Sequence, residues 1–302
     1  MKLKQLIKKN DNLLLFGDKL KSKYYNALPD EYLLKRLYYK RRGEKLNLES
    51  PKTFGEKLQW LKLNWQDDLA TLCADKLQVR TYIKESIGEK YLNNIIAVYE
   101  DANEIKLEQL PKSFVIKTTH ASGFNIIVED KDKLNWHIEK KKLIRWLKFD
   151  YPSRNKEWVY EGIKPKLIVE EFMSEKESSS LIDYKFFCFN GITQYCQVIR
   201  GRGKNETIDF YDKDWCLMPF NGLRKLPNSE IEHKKPVDYE VMIDLANKLS
   251  KNFPFVRVDF YYVNGEIVFG EMTFFPTSGM GSFYPASWNT KIGDLINIEK
   301  LK

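Results

Sequence analysis

Two carboxylates near the C-terminus, Asp259 and Glu271, stand in the segment FVRVDFYYVNGEIVFGEMTFF with Arg257 and Thr273 close beside them. Two acids within shared reach suit a hard divalent cation such as Mg²⁺, which takes a few protein oxygens and completes its shell from phosphates and water. Residues two apart on a strand share a face, so Arg257 goes with Asp259 and Glu271 with Thr273. Asn264-Gly265 between the two runs predicts a hairpin. A strict two-residue turn there sets Asp259 opposite Gly270 and points Glu271 to the other face. The metal reading therefore expects a bulge at the turn, with Gly265 left-handed, which brings Glu271 diagonally across from Asp259 on one face. A half-polar hairpin with two solvated carboxylates accounts for the same residues.

Other reactive groups are scarce. His120, His137 and His233 are too scattered for a metal cluster, and Cys73, Cys188, Cys196 and Cys216 form no CxxC pair. A disulfide framework or zinc site is thus disfavoured, a reducing compartment fits, and no GxSxG element marks a nucleophile. The 302 residues, 43% hydrophobic and 14% aromatic, suffice for a sizeable core in one elaborate domain or two to three subdomains. A net charge of +8 favours a polyanionic partner. Nucleic acid, nucleotide, acidic polysaccharide and an anionic membrane surface all qualify. No apolar run reaches the roughly 18 residues of a spanning helix, and lysines alternate with leucines at the N-terminus, so a cytoplasmic protein is expected.

The elements that must position these groups follow from periodicity. Residues 1 to about 50 read as basic helices, with Leu3, Leu6, Ile7 and Leu13 to Phe16 as an apolar stripe beside Lys2, Lys4, Lys8 and Lys9. That stripe packs on its own domain or touches the inner face of a membrane peripherally. Helical spacing recurs over Pro51–Trp65 and Asp75–Ile87, with Gly88 as a stop. SFVIKTTHASGFNIIV at 113–128 predicts a hairpin with a small-residue tip, 139–148 a basic helix, and KLIVEEFM at 166–173 a buried strand. Asn190-Gly191 predicts a second hairpin, followed by a loop with Arg200 and Arg202, and a helix at about 238–252 leads back to the Asp259 hairpin. Helices mixed with antiparallel hairpins give an α+β class.

The ordered set of Asp75-Lys76, Lys117 before a small-residue loop, Glu170-Glu171, Asp183, Lys185, Arg200, Arg257, Asp259 and Glu271 resembles the ATP-grasp ligases over roughly residues 70 to 285. With PKTFGEKLQWLK upstream, it is most similar to the TupA-like subgroup, named for teichuronopeptide synthesis and linked to bacterial surface polysaccharides. The resemblance implies an ATP-grasp fold, with nucleotide held between two α+β subdomains. Its parts are a basic helical region at 1–70, an N-terminal part at 71–112, a lid at 113–173 and a C-terminal subdomain with the metal site at 174–302.

The resemblance also implies roles. Lys76 and Lys117 would reach the ATP phosphates, and the loop with His120, Ser122 and Gly123 would cover them. Glu170 would accept from the adenine amine while the backbone of Glu171 and Met173 reads the ring edge. Asp183 would hold the ribose, and Lys185 would stand near the γ-phosphate. Arg200 and Arg257 would stabilise the transferring phosphoryl group, and Asp259 and Glu271 would ligate Mg²⁺. The family commonly has Glu-x-Asn where this chain has Glu271-Met272-Thr273, so the third ligand is a threonine hydroxyl or water. The implied chemistry is ATP-dependent amide formation through an acyl phosphate, joining an amine or amino acid to a uronic acid of an acidic glycan or its precursor. Loops at about 201–235 and 274–290 would shape the acceptor pocket. Two other readings are a glycosyltransferase using the Asp-x-Asp runs at 130–132 or 212–214, and a non-catalytic polyanion binder. No nucleic-acid-binding motif supports the latter.

Overall fold

The computed structural model describes residues 11–175, 181–201, 203 and 205–301. Its first helices are α1 (Asp11–Asn26), α2 (Asp30–Arg42) and α3 (Phe54–Asn64). In α2, Asp30 and Glu31 open the helix and Lys40, Arg41 and Arg42 close it, matching the helix dipole, and left-handed Gly43 ends it. A capping box fixes the start of α3: Glu56 N–H donates to Thr53 Oγ1 at 3.3 Å, and Thr53 N–H donates to Glu56 Oε2 at 2.9 Å. Leu3, Leu6 and Ile7 of the expected stripe lie outside the described residues. Leu14 and Leu15 are half-buried, while Phe16 faces outward.

Helices α4 (Asp68–Ala74) and α5 (Val79–Ser86) follow. The helix expected from Asp75 begins four residues later, because Asp75 Oδ1 accepts from the N–H groups of Leu77 at 2.8 Å and Gln78 at 3.2 Å and forms a turn instead.

A four-stranded antiparallel sheet comes next, with β1 (Ile95–Tyr99), β2 (Phe114–Thr118), β3 (Asn125–Val128) and β4 (Leu167–Glu171) in the order β1-β4-β2-β3. Phe114, Ile116, Val128, Leu167 and Val169 alternate onto one face and pack with Leu143 of α6 (Trp136–Leu147). The alternate residues Val115, Lys117 and Glu170 face the other way. Because β1 pairs with β4, this sheet takes in residues from Ile95 onward, ahead of the expected boundary between 112 and 113.

The larger sheet is β5 (Asp183–Phe189), β6 (Ile192–Arg200), β7 (Thr207–Tyr211), β9 (Phe255–Val263) and β10 (Glu266–Thr273), ordered β10-β9-β5-β6-β7. Between β7 and β9 come β8 (Asn221–Gly222) and α7 (Tyr239–Ser250); after β10, β11 (Phe283–Tyr284) pairs with β8, and α8 (Ser287–Gly293) follows. One sheet face, with Tyr184, Phe186 and Phe260, packs on α7 through Tyr239. The other face is graded. At one end Phe189 and Phe255 meet Phe54 of α3 at ring distances of 6.4 and 5.0 Å. At the opposite end stand Asp183, Lys185 and Asp259. The aromatic end packs the face against α3, and the charged end is the candidate site.

Candidate active site

The floor of the site is the β9–β10 hairpin. Asn264 and Gly265 have φ of 53° and 85°, and Glu266 pairs with Val263, so the turn is the regular two-residue type and not the bulged one expected. Pairing holds register as far as Phe269 with Phe260, and then Gly270 is extra: Glu271 pairs with Asp259 and Thr273 with Arg257. The bulge therefore sits five residues past the turn, and the two carboxylates face each other directly. A Cβ on Gly270 would lie 3.1 Å from the Asp259 carbonyl oxygen, so the close backbone approach favours glycine.

Asp259 is 3% exposed and fully engaged. Arg257 Nε donates to its Oδ1 at 2.6 Å and Nη2 to its Oδ2 at 2.7 Å, and the Lys185 ammonium also donates to Oδ2. Lys185 stands 3.3 Å from Asp183 Oδ1 as well. Register explains the cluster, since Lys185 pairs with Asp259 and Asp183 with Tyr261 across β5 and β9. Burial opposes the charge on Arg257, but Asp259 and Glu271 outweigh it and raise its pKa. Burial likewise works to raise the Glu271 carboxyl; Lys76, Lys185, Arg257 and Lys117 overcome it and hold the group at about 2. Glu271 is therefore an ionised carboxylate, with 32% of its side chain open to the cleft.

The opposite wall comes from the lid and the turn before α5. Lys117 Nζ donates to Glu170 Oε2 at 2.6 Å, the two residues being diagonal neighbours on β2 and β4. Lys76 Nζ donates to the carbonyl of Ala121 at 2.5 Å, and its own N–H reaches Thr119 O at 3.3 Å. Lys76 thus tethers the small-residue loop while facing Glu271. Burial lowers its pKa and Glu271 works against that shift. The loop is held at its far end by Phe124, stacked on Trp146 at 4.9 Å, which leaves Ser122 and left-handed Gly123 at its tip.

Between floor and wall runs a cleft of about 410 Å³, lined by Lys76, Lys117, Lys185, Arg257, Asp259 and Glu271, with Ser122 and Gly123 at its edge. A second cavity of about 210 Å³ adjoins it through Lys117 and Tyr261, and is more apolar, with Val115, Ile127, Phe172 and Met173 beside Glu170 and Asp183. A cationic compartment joined to an apolar one matches a nucleotide's phosphates and base.

Four expected roles need correction. Arg200 pairs with Thr207 next to Ile199, so alternation turns it to the α7 face, where it bonds Tyr184; it does not share the face of Arg257. His120 is 3% exposed with Nε2 3.1 Å from Trp146 O, and burial lowers its pKa, which makes it a core group of the lid and not a phosphate contact. The hydroxyl of Thr273 accepts from Arg257 Nη2 at 3.0 Å, so it orients the guanidinium where a metal ligand was expected. Glu171 has both backbone groups committed, its N–H to Asn94 O at 3.0 Å and its carbonyl to Asn93 Nδ2 at 2.9 Å, so its backbone is not open to read a ring edge, although it lines the cavity together with Met173.

Two residues that sequence reasoning did not single out also line the cleft. Arg224 follows left-handed Leu223 and makes a bidentate pair with Glu206 at 2.6 and 2.7 Å. Thr277 begins the left-handed run Thr277-Ser278-Gly279. Buried Lys62 of α3 donates to the carbonyls of Ser278 at 2.9 Å and Asn155 at 2.8 Å, and Ser278 Oγ donates to Glu157 Oε1 at 2.6 Å, so helix α3 fixes this turn. Asn221-Gly222 was the available signal for the first, and PTSG for the second.

Residues 56–297 match the family described as TupA-like ATPgrasp. The chain belongs to that family. Its fold is accordingly the ATP-grasp fold, an α+β arrangement of helices and antiparallel sheets. Among solved structures, the chain is similar to the D-alanine–D-alanine ligase from Bacillus anthracis, at 17% identity over 76% of this chain and 67% of that one, with a TM-score of 0.42. A complex of that ligase with ATP aligns at 15% identity over 67% and 55% of the two chains, TM-score 0.40. The ATP-grasp ligase PsnB, complexed with a precursor variant, Mg and ADP, aligns at 11% identity over 82% and 66%, TM-score 0.43. The chain thus spans about half the length of the ATP complex it matches. No curated protein matches the sequence.

Proposed function

We propose that the protein is an ATP-dependent carboxylate–amine ligase working through an acyl phosphate. The observation that carries this reading is the Asp259–Glu271 pair, two carboxylates set face to face across from Lys76 and Lys117 in one cleft. Base and ribose occupy the cavity of Met173 and Asp183, and the phosphates run toward Lys117, Lys76 and Lys185. Mg²⁺ takes hard carboxylate oxygens beside bound phosphates, and Glu271 offers one open to the cleft, whereas Asp259 would have to exchange a bond to Lys185 or Arg257 for the ion. Asp259 and Glu271 would hold it, and it would shield the repulsion between phosphate and an attacking carboxylate.

The chain's own groups do the rest. An acceptor carboxylate oxygen forms a bond to the γ-phosphorus as the bond to the ADP oxygen breaks. Arg257, aimed by Thr273 and Asp259, neutralises charge on the transferring group and on the later tetrahedral adduct. A neutral amine then attacks the acyl carbon, the C–O bond to phosphate breaks, the nitrogen gives up one proton to the departing phosphate, and an amide and hydrogen phosphate result. Such chemistry relies on positioning and charge and needs no covalent enzyme intermediate.

The acceptor enters at the Arg224 and Thr277 end in this reading. The cations of the cleft outnumber its acids, which favours an acidic acceptor such as a uronic acid of a surface glycan or its precursor, with an amino acid or related amine as second substrate. Support for the glycosyltransferase alternative is weak: Asp130 and Asp212 close local turns onto Asp132 and Asp214, and none of the four lines the cleft.

The test is ADP release from MgATP across a panel of uronic acids and amino acids. Release that needs both an acid and an amine is expected. Protection of the protein by sugar nucleotides and not by ATP would overturn the ligase reading.

A further inference from the structure

The first two helices carry an exposed apolar surface that the cleft does not use. On α1, Phe16, Leu20 and Tyr24 recur four residues apart on one face, 61%, 52% and 49% exposed. The opposite face of α1 is the one that packs, through Asp18 to Arg145 at 2.8 Å and Ser22 to Ser153 at 3.0 Å. Helix α2 adds Tyr32 and Tyr39, seven residues apart and 55% and 60% exposed. Arg36 Nη1 donates to Tyr24 Oη at 2.8 Å and joins the two stripes into one surface. Exposed Lys19, Lys21 and Lys23 flank the stripe on α1.

Charge is distributed to match. Residues 1–45 hold thirteen lysines and arginines against five acids, which is the whole +8 of the chain; the rest balances to zero. We propose that α1 and α2 dock the protein on an anionic lipid surface, with Phe16, Leu20 and the tyrosines at the headgroup boundary and the lysines against lipid phosphates. An amphipathic helix with aromatic and aliphatic residues on one face and lysines beside them binds in this way. A second copy is the poorer occupant because it brings the same positive charge to the contact. Nucleic acid would engage the lysines but gains nothing from Phe16 and Leu20. Among the described residues no helix is long and apolar enough to cross a membrane, so the contact is peripheral.

Co-sedimentation with vesicles tests this. The wild type is expected to bind vesicles of equal parts phosphatidylcholine and phosphatidylglycerol at least about tenfold better than pure phosphatidylcholine, and to be released by high salt. A Phe16→Ser, Leu20→Ser, Tyr24→Ser variant, checked for an unchanged thermal midpoint, is expected to lose about tenfold or more of that binding, since each residue contributes buried apolar area. Failure of the wild type to bind anionic vesicles, equal binding by the folded triple variant, or binding of duplex DNA with none to vesicles would each overturn the proposal.

Discussion

Glu271 faces Asp259 because Gly270 is one residue too many for its strand. The regular turn at Asn264-Gly265 would by itself send Glu271 to the α7 side. A bulge deep in β10 reverses that, and the pair of acids depends on it.

The position of the bulge can be tested by comparing two glycines. A Gly270→Val side chain would crowd the Asp259 carbonyl and the Tyr261 ring, where even a Cβ sits 3.1 and 3.2 Å away. It is expected to lower ADP release about tenfold and stability by about 1–3 kcal/mol. Gly265→Asn keeps a left-handed turn and is expected to cost under about 1 kcal/mol with turnover intact. Equal effects in urea melts and turnover would place the important irregularity at the turn.

Arg200 and Arg257 lie on opposite faces of one sheet. Arg257→Met is expected to cut turnover on the order of a hundredfold or more, whereas Arg200→Met, which loses its contact with Tyr184, should leave kcat within about threefold. Steady-state ADP release decides it; a large loss in Arg200→Met would contradict the face assignment.

Thr273 accepts from Arg257 Nη2, so its hydroxyl matters through the guanidinium. Thr273→Val is expected to reduce kcat about tenfold while KM for ATP stays within about twofold. A changed Mg²⁺ requirement with unchanged kcat would instead make Thr273 a metal ligand.

Lys62 is buried under the Thr277-Ser278-Gly279 turn. Burial lowers its pKa to about 8, Glu157 opposing the shift and Arg41 adding to it. Its ordinary value is 10.5, so between pH 8 and 10.5 the unfolded chain binds more protons and stability rises with pH. The neutral amine still has the two donors its carbonyl partners need. The stability of the wild type relative to Lys62→Met is therefore expected to grow by about 2 kcal/mol between pH 7.5 and 10. Parallel urea midpoints across that range would rule the account out.

Much of this was legible in sequence where one rule acted alone. The hairpins at Asn190-Gly191 and Asn264-Gly265, the strand ending in Glu170-Glu171 and the α+β class follow from turn residues and period-two alternation. Arg200 reads as a loop residue after the second hairpin, whereas it ends β6, and the face it takes depends on pairing with β5 that no local feature specifies. The bulge at Gly270 was hidden for a similar reason: a lone glycine in a strand allows a bulge without specifying its register. His120 sits in a small-residue loop that looks exposed, and only the packing of Trp146 shows it to be core. Arg224 reaches the cleft through a left-handed turn at Leu223, a conformation that non-glycine residues seldom advertise.

The central claim is that MgATP binds in the cleft closed by Asp259 and Glu271, and thermal unfolding measures it directly. Saturating MgATP at about a hundred times Kd should add about 2.7 kcal/mol and raise the wild-type midpoint by about 5 °C or more. An Asp259→Asn, Glu271→Gln variant with a native circular dichroism spectrum should lose most of that rise. No rise in the wild type, or an equal rise in the variant, would contradict the account.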